Sequence, residues 1–529
     1  MQSATSSVGD SPELRFASTA GRWVLAATIV GSAVAQITGT VVNVGLPAIG
    51  EDLGADLADL QWVINGYLLT LAALILVGGS LGDRFGRRRV FQIGVIWFAT
   101  ASLACAAAPT IEVLVAARIL QGIGGALLTP GSLSIIQATF RRADRARAIG
   151  AWAALGGIGA AIGPLLGGYL IDAISWRAVF LINLPLAAFV VYAAARHVPE
   201  SREPEPRPLD RPGAALAIIG LAGATYALIG APDRGLGSPA VLIAAAVGLA
   251  ALAGFGYVQR TSEHPMMPLS AFANRQFSAA NALTFVVYGA LGGVFFLFVV
   301  FLQVVLDYSA LQAGAASLPI TVIMLLLSER AGELAERIGP RWPLTVGPLL
   351  IAGGMVLLGQ IDPGASYATG VLPGLVVFGL GLAATVAPVT STALAAADQR
   401  HTGVASGINN AVARTAGLIA VAVLPWIAGL SGQAYDDPDA LGRGFEIAMW
   451  STAGLAAAGA LLAAVTISSD LLEEDADTAE GTGAGTADGR ADHDGGRHVA
   501  RGCAIDGPPP CWDEDRVAPT QTEAPAVAT

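Results

Sequence analysis

Fourteen uninterrupted apolar segments dictate what this chain can become, because each is about as long as a helix needs to cross a bilayer at 1.5 Å per residue. They fall at residues 23–44, 61–81, 90–108, 112–138, 148–170, 178–195, 213–231, 239–258, 278–304, 312–331, 343–360, 370–395, 403–430 and 445–467. A barrel of alternating strands would not give such continuous runs. Only 13% of the chain is charged, against about 25% in soluble domains. The expected fold class is an all-α polytopic membrane protein embedded in a lipid bilayer.

All 29 basic residues are arginine. Without lysine there is no standard Walker A loop and no retinal-type Schiff base. Energy must then come from an ion gradient, a substrate gradient or a separate ATPase. The five histidines lie outside the apolar segments, and Cys105, Cys503 and Cys511 make no disulfide framework. No cofactor, metal site, catalytic constellation or nucleic-acid partner is expected.

Arginine placement sets the orientation. With the N-terminus in the cytoplasm, the loops on that side hold twenty arginines, and the opposite loops hold only Arg177, Arg234 and Arg443. Both termini are then cytoplasmic, in a multi-pass protein of the cytoplasmic (inner) membrane. The tail at 469–529 holds fourteen acidic residues against four arginines, a composition expected to stay disordered.

Between the second and third segments lies Gly79-Ser80-Leu81-Gly82-Asp83-Arg84-Phe85-Gly86-Arg87-Arg88-Arg89. Its glycines let two helix ends approach and its arginines hold the turn on one side. The stretch Gly332-Glu333-Leu334-Ala335-Glu336-Arg337-Ile338-Gly339-Pro340-Arg341 repeats the order Gly, Leu, acid, Arg, Gly, Arg between segments ten and eleven. In a duplicated six-span unit the repeat would join segments eight and nine, so two spans are inserted. The plan is a cytoplasmic segment (1–22), a six-helix bundle (23–197), a linker with two extra spans (198–275), a second six-helix bundle (276–468) and the tail. A substrate path is expected between the bundles near the midplane.

Polar side chains inside hydrocarbon should face a cavity or a partner. The first span carries Ser32, Gln36, Gly39, Thr40 and Asn43 on one face; the fourth carries Arg118, Gln121, Gly125, Thr129 and Ser132. The ninth carries Asn281, Phe285, Tyr288 and Gly292, and the thirteenth Gly403, Ser406, Asn410, Arg414 and Gly417. Gln36, Thr40, Asn43, Gln121, Asn281, Tyr288, Asn410 and Arg414 are the candidate cavity residues. The fifth span places Gly159, Gly163 and Gly167 at intervals of four, beside Pro164 and Gly168, which makes a flat face with a bend.

Taken together, these motifs resemble the fourteen-span drug:proton antiporter branch of the major facilitator superfamily. The likeness covers about residues 20–468 and rests on Gly79–Arg88, on Leu114, Arg118, Gln121, Gly122, Gly124 and Gly125, on Gly159–Gly168, and on Thr40–Pro47. The resemblance implies that Gly79, Asp83, Arg84, Gly86, Arg87 and Arg88 form a conformational latch, with the span starting near Gly403 as partner. It further implies that Arg118 lies by the proton route and that Gly159, Gly163, Pro164, Gly167 and Gly168 form the antiporter hinge. Where the family usually has a first-span aspartate this chain has Thr38, which leaves Asp83, Glu329 or Glu112 as the proton carrier, or else weak coupling.

The expected function is secondary active export of amphiphilic small molecules by a monomer that exchanges them for protons. With no deep carboxylate in any span, neutral, zwitterionic or acidic substrates suit Arg118 and Arg414 better than permanent cations. A nutrient facilitator or symporter and a transport-dead receptor or scaffold are the alternatives.

Overall fold

The computed structural model describes residues 14–204, 208–396, 402–432 and 437–469. The rest of the expected tail, from 470 onward, and positions 1–13 lie outside the described residues. The chain forms α1 (Thr19–Leu53), α2 (Leu57–Phe85), α3 (Arg87–Ala106), α4 (Ile111–Thr139), α5 (Arg142–Ala173), α6 (Ala178–Leu181), α7 (Asn183–His197) and α8 (Arg211–Arg234). It continues with α9 (Pro239–Thr261), α10 (Arg275–Val304), α11 (Ala310–Ala316), α12 (Leu318–Ile338), α13 (Arg341–Leu358), α14 (Leu372–Ala395), α15 (Thr402–Ile427) and α16 (Pro438–Thr466).

Each of the fourteen apolar segments is helical. The sixth is interrupted at Ile182 between α6 and α7, and the tenth at Ser317 between α11 and α12. Several helices overrun their apolar segments because caps, not hydropathy, end them. The Ser18 hydroxyl accepts from the Gly21 amide at the start of α1, and Gly54 closes that helix at φ 63°. Asp56 and Asp59 form a reciprocal capping box at the start of α2. Among the described residues thirteen helical stretches are long and apolar enough to cross a membrane. The fifth apolar segment, 148–170, lies within the continuous helix α5 (Arg142–Ala173).

Helices α1–α7 pack on one another, mainly through α2 and α3 on α4 and through α5 and α7 on α1. A second group consists of α10–α16, with α13 on α14 and α16, and α10 on α15 and α16. Helices α8 and α9 pair with each other, and α8 reaches α2 and α15. Missing side chains make these contacts possible. A Cβ on Gly124 would lie 2.7 Å from the Phe98 amide nitrogen, and one on Gly354 would lie 2.6 Å from that of Phe378.

The two related turns have the same construction. Gly86 breaks α2 from α3 at φ 107°, and Gly339 breaks α12 from α13 at φ 83°, both in the left-handed region that glycine tolerates. In each, the chain leaving the last helix of the same group crosses the glycine. Glu200, just beyond α7, lies 2.7 Å from where a Gly86 Cβ would be, and Ser469, just beyond α16, presses on Gly339. Side chains fasten both straps: Arg88 donates to the Val198 carbonyl at 3.1 Å, and Arg341 to that of Ala464 at 3.0 Å.

A shorter strap holds the N-terminal segment. Leu14 pairs with Phe140, and the Phe16 amide donates to Asp144 Oδ2 at 3.0 Å. The Arg141 guanidinium, then the Phe16 amide, hold the Asp144 carboxyl below the usual carboxylate range. A depressed pKa favours docking above the ordinary carboxylate value, and that contribution disappears as pH falls through the lowered one. Protection of the Phe16 amide, its exchange relative to the intrinsic rate at the same pH, should therefore be high at neutral pH and fall below the ordinary aspartate range; Asp144→Asn should be unprotected at both. Equal protection in the variant at neutral pH would refute this docking role.

Candidate functional site

The two groups of helices meet most closely at the end opposite the arginine-rich turns. There Asp172, at the end of α5, accepts from the Ser309 hydroxyl (2.8 Å), the Ala310 amide (3.2 Å) and the Leu311 amide (2.9 Å), all at the start of α11. Gly168 abuts the Ala310 carbonyl and Gly314 abuts that of Pro164, so backbones touch where any side chain would separate them. On the other seam, Gln61 of α2 donates to the Val421 carbonyl of α15 at 2.7 Å, and the Leu57 amide to the Gly432 carbonyl at 3.1 Å. Gln303 of α10 donates to the Val44 carbonyl of α1 at 3.0 Å.

Toward the arginine-rich end the seam of α2 on α15 continues to Gly407, where an added Cβ would lie 2.6 Å from Leu76, while α5 and α12 make few contacts. There Leu155 of α5 and Leu325, Leu326, Glu329 and Leu334 of α12 are exposed. Two bundles of membrane-length helices joined across such seams, with polar side chains on the helices between them, are the architecture of a membrane transporter.

Inside the first group, a chain of buried side chains runs from α4 to α1. Arg118 is fully buried. Its Nε donates to the Val63 carbonyl at 2.9 Å, its Nη1 donates to Gln121 Oε1, and it stacks 4.5 Å from the Tyr67 ring centroid. Gln121 donates onward to Ser102 at 2.7 Å, Asn183 donates to the same hydroxyl at 3.2 Å, and Thr38 lies 3.1 Å from Asn183 Oδ1. Ser102 gives its own proton to the Phe98 carbonyl at 2.8 Å. Each polar group in the chain has a partner, which lets a guanidinium stay in apolar surroundings.

The sequence-singled cavity residues divide into three sets. Gln121 and Asn281 are buried inside their own groups: Asn281 donates to the Phe277 carbonyl at 2.9 Å and accepts from Asn409 at 3.2 Å. They cannot line the interior, since their amides are spent on packing helices together. Gln36 and Asn410 are exposed, and Thr40 is half-buried with its hydroxyl turned to the Ile37 carbonyl. Asn43 is half-buried, with a buried Oδ1 that has no partner among the described residues.

Arg414 and Tyr288, both half-buried, form the third set. Arg414 is within electrostatic reach of Tyr288 in its own group and of Tyr67 in the other. Among the described residues it has no hydrogen bond or ion pair. That contrast with Arg118 is the main chemical feature of the interior: one deep guanidinium is fully consumed by structure, and the other has only electrostatic neighbours among the described residues.

At the arginine-rich turn, Asp83 Oδ1 accepts from Arg87 at 2.9 Å, and Arg87 also reaches Glu203 at 3.3 Å. Arg88 pairs with Glu200 at 3.6 Å, and the Arg84 guanidinium lies 5.7 Å from the Phe85 ring centroid. Gly79 rests 3.7 Å (from an added Cβ) against Pro130. The cross-group partner expected near Gly403 adjoins residues 397–401, which lie outside the described residues. In α5, the glycine face packs on α1. Added Cβ atoms would lie 3.0 Å from Ala33 at Gly159, 2.6 Å from the Thr40 hydroxyl at Gly163 and 2.6 Å from Val41 at Gly167.

Sequence reasoning passed over Ser102 and Asn183, each an isolated polar residue in an apolar span, and Asn409, which sits beside the singled-out Asn410. Such isolation was the available signal, because a lone amide or hydroxyl in hydrocarbon must find a partner. Asn65 is a related case. It is fully buried one turn from Gln61 on α2, and neither amide atom has a partner among the described residues.

The profile of the Major Facilitator Superfamily matches residues 28–422. Multidrug resistance protein Stp of Mycobacterium tuberculosis is 36% identical over 404 residues, spanning 76% of this chain and 74% of Stp. The tetracenomycin C resistance and export protein of Streptomyces glaucescens is 34% identical across 76% of this chain and 74% of its own length. The lincomycin resistance protein of Streptomyces lincolnensis is 34% identical across 85% of this chain and 92% of its own. Among solved structures, a bacterial homolog of the human lysosomal transporter Spinster, inward-facing and unoccupied, shares the fold. It has a TM-score of 0.61 at 16% identity and covers 87% of this chain and 99% of its own. The chain belongs to the Major Facilitator Superfamily.

Proposed function

We propose that this protein exports amphiphilic small molecules across the cytoplasmic membrane by alternating access, in exchange for protons. The single observation that carries the reading is the interior, closed by Asp172 at one end and holding Arg414 between the two groups of helices. Relatives named for antibiotic resistance and export support the direction of transport. Arginine bias makes the end of the arginine-rich turns cytoplasmic, with both termini on that side. On this reading the chain works as a monomer with two six-helix domains, residues 23–197 and 276–468, and the linker at 198–275 fills the seam beside them.

Substrate would enter from the cytoplasm and meet Gln36, Tyr288, Asn410 and Arg414. A guanidinium between two tyrosines, with no carboxylate among these residues, favours an amphiphile that is acidic or rich in hydrogen-bond acceptors over a cation. Proton coupling falls to carboxylates nearer the helix ends, Asp83 or Glu329, because the buried chain ends in neutral Thr38 where the family's aspartate would be. Arg118 supports that route by fixing α4 against α2.

Proteoliposomes with an imposed pH gradient test the proposal. Inside-out vesicles with an acid interior should accumulate amphiphilic dyes, and dissipating the gradient should release them. No accumulation of any dye in a varied panel would overturn export. Arg414→Gln should lower transport of anionic dyes roughly tenfold, the worth of one charge-assisted hydrogen bond, and spare neutral ones. An equal loss for both classes would remove Arg414 from substrate recognition.

A further inference from the structure

We infer that the groove between α3 and α7 binds one anionic phospholipid from the leaflet at the arginine-rich end. This site is on the outer wall of the first helical group, apart from the transport interior.

Two adjoining hollows compose the groove. The first, about 440 Å³, includes Arg88, Arg89 and Arg202, with Phe85 and Gln92 among its walls. The second, about 510 Å³, is lined by apolar side chains that include Ile96, Leu103, Leu184, Val191 and Tyr192. Gln92 joins them, since it lines the first and donates to the backbone carbonyl of Val191, in the wall of the second, at 3.3 Å.

The register along α3 aligns the two hollows on one helix face. Arg89, Gln92, Ile96, Ala99 and Leu103 follow at steps of three and four, so they share one helix face. From Arg89 to Leu103 the face runs about 21 Å at 1.5 Å per residue, compared with about 15 Å for half of the hydrocarbon core. It therefore reaches from headgroup depth past the midplane, enough for an acyl chain.

Charge selects the headgroup. Three arginines face Glu200 in the first hollow, and Arg88 is already engaged by Glu200 and the Val198 carbonyl. Arg89 and Arg202 are exposed and have no ion pair among the described residues. Two uncommitted guanidiniums match a phosphodiester with a neutral or acidic headgroup, whereas a choline or ethanolamine would bring its own cation beside them. The apolar hollow below supplies what a free phosphate could not use.

Native mass spectrometry of the full chain in detergent tests the inference, using phosphatidylglycerol and phosphatidylcholine with identical acyl chains. One phosphatidylglycerol should be retained with a preference of roughly tenfold or more. Arg89→Gln with Arg202→Gln should erase that preference. Ala188→Trp, at an exposed position in the lipid-facing wall, should weaken binding of both lipids; unchanged melting curves would show that both variants fold. Equal retention of the two lipids by the wild type would overturn the site. So would displacement of phosphatidylglycerol by equimolar inorganic phosphate, or a dimer that buries this face in place of lipid.

Discussion

Replacing Arg118 with alanine is expected to leave little folded transporter and no export. The side chain is fully buried, and it ties the Val63 carbonyl of α2 to Gln121 on α4 while stacking on Tyr67 and, at 6.0 Å, on Phe180. Removing it strands an acceptor at Gln121 and another at Val63, and leaves a void between two aromatic rings. An unsatisfied buried polar group costs about 1–3 kcal/mol and a large-to-small core substitution about 2–5 kcal/mol. The sum approaches the whole stability of a typical domain. Arg118→Lys should be intermediate, because an ammonium cannot serve a carbonyl, an amide and a ring face with one planar fork. Size-exclusion profiles and melting in detergent read the first effect, and dye export reads the second. A well-folded, fully active Arg118→Ala protein would show that the buried chain is dispensable.

Asp172→Ala should release the closed end. Its carboxylate accepts three hydrogen bonds from the opposite helical group, and bonds to a charged acceptor are worth about 1.5–3 kcal/mol. Loss of even one such increment shifts the balance between the two access states about ten- to a hundredfold toward opening at that end. A cysteine placed at Gln36, with Cys503 and Cys511 replaced, reports the shift through labelling by an impermeant maleimide added from either side. Labelling from the far side should rise in Asp172→Ala and fall back in Asp172→Glu if the longer acid still reaches α11. Unaltered labelling in the alanine variant would mean that the glycine contacts at Gly168 and Gly314 hold the closure without it.

The fold was largely legible because the bilayer imposes its length on every span, and because Gly86 and Gly339 mark equivalent turns with residues few other contexts demand. The interior was less legible. Helical periodicity says which polar residues share a face but not whether that face meets a cavity or a neighbouring helix. Gln121 and Gln36 illustrate the ambiguity: both are glutamines in apolar spans, one spent on Ser102 and the other exposed. Arg118 and Arg414 likewise carry the same charge at similar depth. Their different fates depend on Gln121 and the Val63 carbonyl, partners brought close only by packing. Asp172 was visible only as an acid near a helix end, since its importance comes from a segment 137 positions away.

The paired straps over Gly86 and Gly339 imply a mechanical inequality between otherwise matching halves. The first combines ion pairs of Glu200 and Glu203 with backbone bonds from the Arg87 amide to the Ser201 carbonyl and from the Glu203 amide to the Asp83 carbonyl, whereas the described part of the second is fastened by Arg341 on the Ala464 carbonyl. Ions in the surrounding solution screen surface pairs and leave a backbone-anchored strap nearly untouched. Raising the ionic strength would thus strip the first strap of its ion pairs and leave it on its backbone bonds, so that the two rocker arms approach equal stiffness.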